Sequence, residues 1–125
     1  MKERNYESIF ENLFNEQNDA KPVLEFYYKG KLIMTREVLY DEITLGRNSS
    51  SIRVDIDLTE FDIENSFSRN MLKILYEDGE YYAISMAKNP IFLNMNRMEI
   101  GKKYLLKGND KIIITNSFGI KFSKY

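Results

Sequence analysis

The sequence predicts an all-β fold, an antiparallel β-sandwich preceded by one short N-terminal amphipathic helix, and three observations lead there. Short apolar runs rich in Ile, Tyr and Phe recur every eight to twelve residues after Pro22, with turn residues between them. Several runs alternate apolar and polar residues, the period of a strand with one face buried. Before Pro22 the period changes: Tyr6, Ile9, Phe10, Leu13 and Phe14 fall at i, i+3, i+4, i+7 and i+8, one apolar stripe on a helix.

Taken in order, residues 3–18 form that helix, and "NDAKP" stops it and links it to the first strand. The stripe must cover something, either its own domain or a protein partner, which includes another copy of the chain. "VLEFYY" and "KLIMTREVLY" make a hairpin around Lys29-Gly30. "EITLG" is a strand ending at Gly46, and "IRVDIDL" is expected as a full strand with Ile52, Val54, Ile56 and Leu58 on one face. "MLKILYE", the turn "DGE" and "YYAISM" form a second hairpin. "IFLNM", "YLL" and "KIIIT" come next, and "GIKFSKY" ends the chain after a turn at Asn116-Ser117. This divides the chain into a helix and linker at 1–21 and one β domain at 22–125, large enough to bury a core without staples.

Composition narrows the chemistry. The 125 residues contain no Cys and no His. Disulfides, thiol nucleophiles and zinc knuckles are excluded, as is every Ser-His-Asp arrangement. A net charge of −1 leaves no basic footprint for nucleic acid or anionic membrane. No run approaches the ~18 apolar residues of a membrane span, so the expected setting is the reducing cytoplasm. No cofactor is implied. Asp55 and Asp57, on one face of "VDIDL", are a candidate cation pair, but alternation also simply places both in solvent.

The residues suited to binding are two serine-and-arginine clusters at strand ends. Gly46-Arg47 closes "EITLG" and opens "NSSS" at 48–51, and "SFSRN" at 66–70 precedes "MLKILYE". A strand-end glycine serves backbone geometry, a positive φ or a close approach. Arginine carries a rigid fork of donors that matches phosphate or carboxylate, and loop hydroxyls and amides add neutral donors. If "IRVDIDL" crosses the domain and "TEFDIEN" returns, Ser68 arrives at the rim that Arg47 left. The end of "YYAISM" returns there too, bringing the loop "AKNP". Arg47, Ser68, Arg69 and Asn89 would then share one rim, with the loop residues Asn48, Ser49 and Ser50 beside them.

The order of these motifs, "LGR" at 45–47, "SRNM" at 68–71, "AKNP" at 87–90, "FLN" at 92–94 and "YLLKGNDKIII" at 104–114, resembles the forkhead-associated (FHA) family, and the "DGEYYAI" hairpin is similar to bacterial members. The resemblance spans about residues 23–125. It implies a non-catalytic module that binds phosphothreonine peptides. By similarity Arg47 grips the phosphate, Ser68 donates its hydroxyl to it, and Arg69 lies close by. Asn89 fixes the peptide backbone, and Asn48, Ser49 and Ser50 add contacts. The chain departs from the pattern at Met71, where the family has a histidine that braces the loops, at Ala87 in place of a serine, and at Pro90 in place of a glycine. Proline fixes φ and removes a donor. These departures keep a second expectation open, a phosphate-independent assembly module such as those attached to secretion machinery.

Overall fold

A computed structural model describes residues 21–49, 51, 53–62, 67 and 69–124. The N-terminal helix expected at 3–18 lies outside them.

Among the described residues, eleven strands build two sheets packed face to face. In chain order they are β1 (Val23–Tyr28), β2 (Lys31–Glu37), β3 (Glu42–Gly46), β4 (Ile56–Asp57), β5 (Leu72–Glu77), β6 (Glu80–Ser85), β7 (Phe92–Leu93), β8 (Asn96–Arg97), β9 (Lys103–Leu106), β10 (Asp110–Ile113) and β11 (Phe118–Ser123). One sheet runs β2-β1-β11-β10-β7-β8 and the other β4-β3-β5-β6-β9. The alternation of the sequence is spent on the space between them. Leu24, Phe26, Ile112, Ile120 and Phe122 from the first sheet meet Leu45, Leu72, Ile74 and Ala83 from the second, all buried. Fully burying a side chain of this size stabilises by about 1.5–3 kcal/mol. Phe118 gathers an aromatic group, with Phe61 stacked at 5.2 Å and Phe67 tilted at 5.9 Å between ring centroids.

Both hairpins expected from Lys29-Gly30 and Asp78-Gly79 are present. Each turn has positive φ at both residues, 51° and 79° in the first and 51° and 82° in the second. That pairing matches the right-handed twist of the flanking strands.

The stretch "IRVDIDL" departs from expectation. It is not a strand that crosses the domain. Among its described residues only Ile56–Asp57 pair, and they pair parallel to β3, Leu45 with Ile56 and Gly46 with Asp57. The sandwich is therefore antiparallel apart from this pair and a parallel bridge between Ser85 and Ile100. The two aspartates explain the shortness. Asp55 turns its carboxylate onto β3, accepting from the Thr44 N–H at 2.8 Å and its hydroxyl at 3.1 Å. Asp57 accepts from the N–H of Thr59 at 3.1 Å and from the Thr59 hydroxyl. These bonds fold the segment back onto the end of β3 and start the 3₁₀ turn at Thr59–Phe61. The loop beyond Arg47 doubles back, and the chain meets the Arg47 rim again without two crossings.

Candidate functional site

The site is built on neighbouring strands of one sheet. Leu45 on β3 pairs with Leu72 on β5, and Leu72 pairs with Ser85 on β6. Arg47 lies two residues past that row, Arg69 three residues before it, and Asn89 four residues after it. Sheet register alone thus brings these three loops to one rim.

Main-chain hydrogen bonds fasten the loops to each other. The Arg47 N–H donates to the Arg69 carbonyl at 3.1 Å, and the Met71 N–H donates to the Leu45 carbonyl at 2.9 Å. The Leu58 N–H donates to the Gly46 carbonyl at 2.6 Å, and the Met86 N–H to that of Met71 at 2.8 Å. Gly46 is required by close approach. A Cβ built there would stand 2.1 Å from the Arg69 carbonyl oxygen and 3.0 Å from the Met71 nitrogen. Only hydrogen fits, and so the arginine of the first loop is brought against the backbone of the second.

Arg47 itself is half-buried, and its Nε is buried without a hydrogen-bond partner. Among the described residues no carboxylate pairs with it. The nearby candidates are engaged elsewhere: Asp55 with Thr44, Asp57 with Thr59 and the Asn48 N–H, and Asp62 with the Phe67 N–H at 3.2 Å. The Thr59 hydroxyl holds the Asp57 carboxyl below its usual value of 3.8 against the opposing effect of burial, with smaller help from the Thr59 N–H and from Asn48. It stays an anion and a fixed acceptor for the loop.

The other predicted residues sort themselves by position. Arg69 and Asn89 are exposed at the rim and Ser49 is half-buried. Asn48 does more for the loop than for a ligand, since its Oδ1 accepts from the Val54 N–H at 2.7 Å. Ser50 and Ser68 lie outside the described residues. Asp55 and Asp57 spend their oxygens on backbone and hydroxyl donors, and no acidic cluster among the described residues is suited to a metal. Met71 is buried in the core, and its neighbours Ala87 and Ile91 are buried as well.

Beside Asn89 a cleft of about 450 Å³ opens, lined by Phe67, Met71, Pro90, Ile91, Thr115 and Asn116 among others. Sequence reasoning missed the contribution of Thr115 and Asn116. The turn at Asn116-Ser117 was visible, and the antiparallel order of β10 and β11 is what places it at this rim.

The fold as a whole is similar to that of solved domains. The MEK1 FHA domain superposes with a TM-score of 0.70 at 21% identity, covering 92% of this chain and 98% of that one. The chain has the forkhead-associated fold. Full-length yeast Pml1p gives a TM-score of 0.72 at 17% identity, over 98% of this chain and 93% of that one. The N-terminal FHA domain of S. cerevisiae Rad53p, solved with a phosphothreonine peptide, gives 0.66 at 20% identity, over 82% and 94%. No protein-family model and no curated protein matches the chain by sequence. Among its described residues no helix is long and apolar enough to cross a membrane.

Proposed function

We propose that this FHA domain is a non-catalytic protein-interaction module that binds phosphothreonine peptides at the rim holding Arg47, Arg69 and Asn89. The observation that carries the reading is the half-buried Arg47 guanidinium, whose Nε has no acceptor and which no described carboxylate neutralises. Leaving a buried donor unsatisfied costs about 1–3 kcal/mol. A phosphate, with three strong acceptors and about −1.5 to −2 charges, supplies what the site lacks. The Rad53p domain of the same fold holds a phosphothreonine peptide. In this reading Arg47 grips the phosphate, Ser68 donates its hydroxyl, Asn89 fixes the peptide backbone, and Arg69, Asn48, Ser49 and Ser50 surround them. Such a shallow site suits micromolar affinity, about −8 kcal/mol, and reversible signalling in the cytoplasm.

The test is amide NMR of the labelled chain titrated with a degenerate phosphothreonine peptide pool, with the unphosphorylated pool and Arg47→Ala as controls. Phosphate-dependent shifts at the three loops are expected. Arg47→Ala should lose about 1.5–3 kcal/mol of binding, the worth of a charge-assisted hydrogen bond. Its melting temperature should move by only a few degrees, because the guanidinium contributes little to the fold. A collapse in stability would make Arg47 structural and sink the ligand role. A second reading, a phosphate-independent assembly module, is favoured by apolar, buried Met71 and Ala87 where the FHA pattern has polar residues. Loop shifts that ignore phosphorylation would select it.

A further inference from the structure

The outward face of the six-stranded sheet carries an apolar row that the peptide site does not use. Register places Leu32, Tyr27, Gly119, Ile113 and Phe92 side by side across β2, β1, β11, β10 and β7. Their neighbours along the strands, Phe26, Ile112 and Ile120, point into the core, so this row points away from it. Leu32 is 53% and Phe92 37% exposed at the two ends. In the middle, Gly119 has no side chain, and the sheet is notched there between Tyr27 and Ile113. The result is a trough of about 580 Å³ with Lys111 and Lys121 on its wall. Glu25 is the acidic residue facing Lys121 across the strands, and it accepts from the Tyr27 hydroxyl at 3.0 Å.

The chain contains a segment that fits. The stripe Tyr6, Ile9, Phe10, Leu13 and Phe14 has the length and the apolar width to fill such a trough. Residues 1–20 carry Glu3, Glu7, Glu11, Glu16 and Asp19 against Lys2 and Arg4. On a helix at 100° per residue Glu7 and Glu16 would fall on opposite flanks of the stripe, with charge opposite to that of the trough lysines. Reach is sufficient. Tyr27 lies four residues along β1 from Val23, about 13 Å at strand rise, and a helix over 3–18 is about 24 Å long. Pro22 is held by its carbonyl, which accepts from the Val38 N–H at 2.9 Å, and the Lys21 ammonium lies 5.8 Å from the Tyr76 ring centroid, so the reversal falls to residues 19 and 20, within the roughly two-to-six-residue range of short helix–strand connections. We propose that the N-terminal segment docks in cis on the outer face of this sheet, with its apolar stripe across Gly119 between Tyr27 and Ile113.

The chain has no cysteine, so a nitroxide on Glu11→Cys reports a single position. In the full-length, isotopically labelled protein, amide signals of Tyr27, Ile113 and Gly119 should broaden severely. A mixture of spin-labelled unlabelled chain with isotopically labelled unmodified chain should show none of it. Broadening in that mixture would mean a second copy supplies the segment and would overturn the proposal. So would broadening centred on the exposed Leu39 and Tyr40 corner or on Asn89, or no broadening at all. Leu13→Asp in the labelled chain should abolish the effect while the β-sheet spectrum stays dispersed. Persistence of the broadening in that variant would show that the stripe is not the contact.

Discussion

Gly46→Ala isolates the contact on which the rim depends. The added methyl would sit 2.1 Å from the Arg69 carbonyl oxygen, 2.8 Å from its carbon and 3.0 Å from the Met71 nitrogen. All three are backbone atoms, so no side chain can swing aside, and the two loops must separate by roughly an ångström to reach ordinary contact. Forcing one methyl into a packed site costs about 1–3 kcal/mol. The separation also stretches the 3.1 Å bond from the Arg47 N–H to Arg69, worth about 0.5–1.5 kcal/mol net. Stiffening of the unfolded chain by alanine returns about 0.4–1 kcal/mol. The net loss is about 2 kcal/mol, or about 8–16 °C in Tm at the 4–8 °C per kcal/mol of a domain this size. Thermal unfolding followed by circular dichroism reads it, and urea midpoints give the free energy. The same variant should weaken phosphopeptide binding although it keeps both arginines, since their spacing changes. A variant as stable as the parent would refute the steric argument. One that is less stable but binds unchanged would refute the claim that this contact sets the loops.

Two further substitutions test the frame around the site. Met71→Ala should cost about 2–5 kcal/mol by leaving a cavity in the core, whereas the volume-conserving Met71→Leu should cost under about 1.5 kcal/mol; equal losses in urea midpoint would show that Met71 does more than fill space. Asp57 has its folded pKa lowered below 3.8, chiefly by the Thr59 hydroxyl, so its contribution is present above that pH and is lost as the pH falls through the folded value. Asp57→Asn should therefore reduce stability at neutral pH and flatten the acid limb of a stability–pH curve, and an unchanged limb would mean that the carboxylate is not linked to folding.

The hairpins were legible because their turns need chemistry visible in the letters, Lys29-Gly30 and Asp78-Gly79 at positive φ. The convergence of Arg47, Arg69 and Asn89 was legible because adjacent antiparallel strands return loops to one end. The route was not. "IRVDIDL" alternates as a full strand should, yet Asp55 and Asp57 use their carboxylates to bind backbone and hydroxyl donors from elsewhere, which alternation cannot reveal. The pairing of β7 with β8 was missed because two residues a side are too few to show a period. Arg47 stands out in the sequence for its fork of donors, but that no described carboxylate pairs with it depends on where three aspartates turn, which the letters do not reveal.

The joints between the rim loops are peptide groups: Arg47 to Arg69, Met71 to Leu45, Leu58 to Gly46, Met86 to Met71. Every residue except proline brings the same N–H and carbonyl to such a joint. The frame between the loops is therefore largely indifferent to the side chains displayed at 88–90, which can be exchanged while that geometry persists, whereas Asn48, whose Oδ1 holds the Val54 N–H, belongs to the frame. That indifference leaves room for proline at 90, since none of these joints uses an N–H there. It also makes this rim a natural platform for selecting new specificities from a randomised library, provided that Gly46 is left alone.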